Sequence, residues 1–116
     1  MRDIQMIQWA RVRELRDEVG ADDFGDLVDL FLTEVEEVVD RLRSQEDRTD
    51  LEQDLHFLKG SALSLGFETF SDLCETGETL SACGKAAQVD LGAILDGYDQ
   101  SRLRFLADMS RELASG

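Results

Sequence analysis

Leu51-Glu52-Gln53-Asp54-Leu55-His56-Phe57-Leu58-Lys59-Gly60-Ser61-Ala62-Leu63-Ser64-Leu65-Gly66 is the stretch that decides the fold. Leu51, Leu55, Leu58, Ala62 and Leu65 recur at three- and four-residue spacing, the period of one helix face. They predict an amphipathic helix with that face in a core. Thr49, with Glu52 three residues on, reads as a capping box at its start. Gly66 ends or bends it. At about 100° per residue, His56 falls roughly 140° from the core direction, Gly60 roughly 180° and Lys59 roughly 80°. The imidazole is therefore expected outside the core, midway along a helix. Lys59 and Gly60 stand one turn from it.

The same period extends along the chain in both directions. A first helix is predicted over 4–19, with Ile4, Ile7, Val12, Leu15 and Val19 on its stripe and Gly20 as its stop. A second runs over 22–43 on Phe24, Leu27, Val28, Phe31, Val35, Val38 and Leu42. Asp22 and Asp23 suit its N-terminus, and Arg41 and Arg43 its C-terminus. The 51–66 helix is third. A fourth covers 69–83, with Phe70, Leu73, Gly77 and Leu80 inward and Gly77 marking a close helix contact. A fifth opens at Asp90 and runs to 113 on Leu91, Ile94, Leu95, Tyr98, Phe105 and Met109, with Arg102 as a polar break. Strand signals are missing, and there is no proline, the residue that interrupts helices. Short loops make successive helices antiparallel. The expectation is an all-α, antiparallel four-helix bundle over 22–113 with an additional N-terminal helix over 4–19. With 116 residues the chain has room for one domain, taken as 1–116.

Charge and composition narrow the function. Asp plus Glu is 26 against 12 for Lys plus Arg, a formal net charge of −14. That disfavours nucleic acid and anionic membrane as partners. No apolar run is long enough for a signal peptide or a membrane span, so a cytoplasmic chain is expected. Cys74 and Cys83 point to opposite sides of one helix and read as reduced thiols.

His56 carries the chemistry. A neutral imidazole is a nucleophile near neutral pH. Lys59 offers an ammonium one turn away, suited to the charge that a phosphoryl group brings. A mid-helix glycine costs about 1 kcal/mol against alanine, and at Gly60 it clears space for another surface. Leu63, Ser64, Phe67 and Phe57 are expected to add a docking patch around it. A metal site at His56 would have only Glu52 one turn away and no second histidine, too few ligands, so none is assigned. Hydrolytic catalysis lacks a base–orienter arrangement. An acidic helical adaptor that binds another protein without carrying phosphate is the alternative.

His56-x-x-Lys59-Gly60, followed by Ser61 and Ala62, then Leu65 and Gly66, resembles the signature of the histidine-containing phosphotransfer (HPt) domains of multistep two-component phosphorelays. The resemblance covers roughly 22–83. It implies a four-helix bundle with an exposed active histidine, phosphorylated on Nε2. It also implies a phosphocarrier without autokinase activity, passing a phosphoryl group between response-regulator receiver aspartates. The partners implied are receiver domains and a sensor or hybrid histidine kinase. No cofactor is expected on this chain, because the receiver brings the Mg²⁺. A monomer is expected of a self-contained bundle. In parts of that family a polar or basic side chain of the next helix also meets the phosphoryl group. Here that helix offers Ser71, Glu75, Glu78 and Thr79, which leaves Lys59 as the expected cation.

Overall fold

The structure, a computed structural model, describes residues 6–44 and 48–114. Five helices follow in order: α1 Trp9–Val19, α2 Ala21–Ser44, α3 Leu51–Leu65, α4 Glu68–Ala82 and α5 Leu91–Ala114. A single 3₁₀ turn, Ala86–Gln88, lies before α5. Helices α2 to α5 form the bundle. Arg41 of α2 pairs with Asp54 of α3 through two hydrogen bonds of 2.9 and 2.7 Å. Arg43 and Glu36 of α2 meet Asp99 and Arg102 of α5. So the polar break foreseen at Arg102 is an ion pair on the α2–α5 seam. No helix among the described residues is long and apolar enough to cross a membrane.

The α3 face is as its period predicts. Leu51, Leu55, Leu58, Ala62 and Leu65 are all buried. On α2 the buried set is Phe24, Val28, Leu32, Val35, Val39 and Leu42. Leu27, Phe31 and Val38 are only half-buried, because α2 packs against both α3 and α5 and its apolar stripe is broad. Gly77 is a contact glycine as expected. A Cβ there would stand 2.7 Å from Leu55 Cδ1 and 3.0 Å from Ile94 Cδ1, so its absence lets α4 lie close to both neighbours. Asp90 caps α5, its Oδ1 accepting from the Ala93 N–H at 3.0 Å. Before α3 the N-cap position falls on Asp50, whose side chain makes no capping hydrogen bond.

The N-terminal helix starts later than its apolar period suggests. Ile4 lies outside the described residues. Met6 to Gln8 are not helical: Ile7 pairs with Phe67 in an antiparallel bridge, and the Gln8 N–H donates to the Gly66 carbonyl at 2.7 Å. A long-range hydrogen bond has overridden the local period. Helix α1 then caps other helices with its arginines. Arg11 Nε donates to the Ser64 carbonyl near the end of α3, and Arg16 to the Leu113 carbonyl near the end of α5. Carbonyls at helix C-termini lack partners in their own helix and favour cations.

Gly66 joins these parts. Its φ of 85° lies in the left-handed region. Its N–H turns back to the Leu63 carbonyl and that of Phe67 to the Ala62 carbonyl, the paired bonds of a Schellman turn. A Cβ at Gly66 would come within 2.9 Å of the Gln8 backbone oxygen. Gly66→Ala is therefore expected to destabilise by about 2 kcal/mol, from left-handed strain plus the backbone clash. Urea denaturation would measure it. Trp9, the only tryptophan, reports the seating of α1.

Candidate functional site

The site is built on the outer surface of α3 where α4 runs antiparallel beside it. The Gly66 turn brings α4 back along α3, so residues equally far from the turn face each other. His56 stands eleven residues before Phe67 and Glu78 eleven after. His56 Nδ1 and Glu78 Oε2 are 2.7 Å apart. The second carboxylate oxygen, Oε1, lies 2.8 Å from Lys59 Nζ. One carboxylate thus ties the imidazole to the lysine one turn further along α3.

The electrostatics fix the tautomer of the ring. The hydrogen bond from Lys59, and after it that from His56, holds the Glu78 carboxyl below the usual carboxylate range against its partial burial. In return Glu78 raises the Lys59 ammonium above its ordinary value. Glu78 is an anion at neutral pH and can only accept. The proton between it and the ring therefore belongs to Nδ1. This tautomer leaves the lone pair on Nε2. The imidazole side chain is 70% exposed against 20% for Glu78, so the ring reaches solvent while its tether sits in the α3–α4 groove. Gly60 is exposed, and apart from its chain neighbours and the backbone of its own helix no atom lies within 4 Å of where a Cβ would be. Behind the site, burial pushes the Cys74 thiol up to about 12, which keeps it protonated and unreactive. Cys83, past the end of α4, is exposed.

Most of the residues foreseen for the site come together. His56 and Gly60 are exposed and Lys59 is half-buried on the flank. Phe57 is 40% and Leu63 57% exposed, and Ser64 is half-buried with its carbonyl taken by Arg11. Phe67 is the exception. It is 2% exposed and cannot dock a partner. The outward phase foreseen for it assumed that the helix continues past Gly66. Instead α3 ends at Leu65, and the turn swings Phe67 inward, where its ring meets Phe105 at a centroid distance of 5.4 Å. Glu78 is the residue that helical phase on α3 misses. Its signal lies in the equal arms on either side of the turn. Among the described residues, no group of three or more His, Cys, Asp or Glu side chains is placed to hold a metal ion.

The fold is an antiparallel helical bundle that carries one exposed imidazole beside a lysine and an open glycine. A family model described as Hpt domain matches residues 26–115, and the chain belongs to that family. Such domains are phosphocarriers of two-component signalling that interact with receiver domains and kinases. Helix α1 precedes the matched segment. Neither the curated proteins nor the solved structures contain a match to this chain.

Proposed function

We propose that this chain carries a phosphoryl group on Nε2 of His56 between receiver aspartates of a cytoplasmic phosphorelay, acting as a monomer and without autokinase activity. The observation that supports this most directly is the Nδ1–Glu78 hydrogen bond, which leaves Nε2 as the nucleophile on an exposed ring. Nε2 attacks the phosphorus of a receiver's aspartyl phosphate, the P–O bond to the aspartate breaks, and the aspartate leaves as its carboxylate while Nε2 keeps the phosphoryl group. Lys59 lies one turn away. An ammonium has three N–H donors, so the one facing Glu78 leaves two for phosphoryl oxygens. The receiver docks across Gly60, with Phe57 and Leu63 as apolar contacts and Ser64 at the edge. The chain uses no cofactor of its own, and the divalent cation comes with the receiver.

Phosphoryl transfer from labelled phospho-receivers to this chain, run beside His56→Gln, tests the reading. Acid-labile, alkali-stable label on the wild type alone supports it. Binding of receivers or a kinase with no label on a folded wild type would instead indicate an adaptor. Gly60→Glu tests the docking geometry. The space there is open, so the helix keeps its fold. Bulk and charge at the approach surface are expected to slow transfer about 100-fold, the scale of displacing a reacting group by an ångström. Unimpaired transfer would remove Gly60 from the interface.

A further inference from the structure

Once a phosphoryl group has arrived, the charge on Glu78 takes on a second role. Attack through Nε2 consumes the ring lone pair while Nδ1 keeps its proton. The product is a phosphoryl dianion on an imidazolium cation. Onward transfer reverses this. A carboxylate oxygen of the receiving aspartate bonds to phosphorus, the P–Nε2 bond breaks, and its electron pair returns to Nε2. With the proton still on Nδ1, the leaving group is neutral imidazole. Without it, the leaving group is an imidazolate anion, which departs far less readily. The charges balance: carboxylate monoanion, phosphoryl dianion and imidazolium become acyl phosphate dianion and neutral imidazole.

We infer that Glu78 is a positioning residue that retains the Nδ1 proton on phosphorylated His56 and so keeps the phosphoryl group transferable above neutral pH. The inference rests on the phosphocarrier reading and adds to it the regulation of the same site. Three observations carry it. Glu78 Oε2 stands 2.7 Å from Nδ1, within a direct hydrogen bond. The carboxylate is fixed independently of the ring, because Lys59 holds its other oxygen at 2.8 Å from the same face of α3. And Glu78 is only 20% exposed, less open to solvent screening than the ring it serves.

The surrounding charges do not supply a substitute. On α3, Glu52 precedes the ring by one turn and Lys59 follows it by one turn. On α4, Glu75 acts on the Lys59 ammonium, and Cys74 stays a neutral thiol. From α2, Arg41 is committed to Asp54. Lys59 alone would ease the proton off the ring, and Glu78 opposes it through a direct hydrogen bond to Nδ1. A hydrogen bond to an ionised acceptor is about twice as strong as one to a neutral acceptor.

The chain has one histidine, so nitrogen NMR of phosphorylated protein reads a single ring. Wild type and Glu78→Gln would be phosphorylated with phosphoramidate and titrated, and transfer to a receiver followed over the same pH range. Glutamine keeps the length and one acceptor oxygen but loses the charge. In Glu78→Gln, Nδ1 is expected to lose its proton about one pH unit lower, a tenfold drop in proton affinity. Transfer from the variant should then be slower by up to about tenfold near pH 9 and agree with wild type within about twofold near pH 6. A structural role alone would change transfer equally at both. Coincident titrations and parallel profiles overturn the inference while phosphorylation of the wild type preserves the carrier reading. A folded wild type that takes no phosphoryl group from phosphoramidate or from phospho-receivers overturns both.

Discussion

His56→Gln is expected to abolish phosphoryl acceptance outright, with no residual label at any time point. The reason is chemical. The lone pair of a glutamine amide nitrogen is delocalised into its carbonyl and does not attack phosphorus, whereas the Nε2 lone pair of a neutral imidazole does. No other histidine exists to give a background. The fold should tolerate the change, because the ring is 70% exposed and surface substitutions usually fall within about 0.5 kcal/mol. Glutamine also offers an amide N–H to Glu78, so the carboxylate is not stranded. The measurement pairs label transfer with circular dichroism and urea denaturation. Acid-labile label persisting on a well-folded His56→Gln chain would show that His56 is not the acceptor.

Phe105→Ala is expected to have the largest effect on stability. Phe105 is fully buried on α5. Trp9 of α1 stacks on it at 5.5 Å and 8°, and Phe67 at the α3–α4 turn packs against it at 5.4 Å. Removing a buried phenyl ring costs about 3–5 kcal/mol from lost transfer free energy and the cavity left behind. A small domain has about 5–15 kcal/mol in total, so the loss is a large share. Three elements meet at this ring, and the gap has no single neighbour to collapse into it. Urea denaturation should show the drop, and Trp9 emission should report the loosening of α1. The His56–Glu78 pair stands eleven residues from the Phe67 end of both helices. In conditions where the variant is folded, transfer should therefore stay within severalfold of wild type. A loss below about 1 kcal/mol would mean that Phe105 does not join α1 to the bundle.

Local pattern made α3 legible down to its side chains. The period of Leu51, Leu55, Leu58, Ala62 and Leu65 gives both the helix and its buried face, and by subtraction the outward direction of His56. The Gly66 stop and the Asp90 cap are equally local. One is a left-handed position that suits glycine, the other a carboxylate within reach of an N–H three residues on. On α2 and α4 the period located the helices but blurred the centre of the stripe. Leu32, Val39 and Cys74 are buried, while Leu73 and Leu80 sit on the flank. Which of several apolar neighbours goes deepest depends on where the adjoining helices lie.

By itself the sequence determined an all-helical chain, the phase that turns one imidazole outward, and a lysine and a glycine one turn from it, since each follows from the helical period over a few residues. The tertiary structure alone decided what joins those helices. It put Ile7 in a bridge with Phe67 instead of in α1, turned Phe67 into the core, and set Glu78 against both His56 and Lys59. Each of these is a contact between residues far apart in the chain. Its geometry is set by the reversal at Gly66 and by how closely α3 and α4 can pack, neither of which a periodicity within one helix can encode.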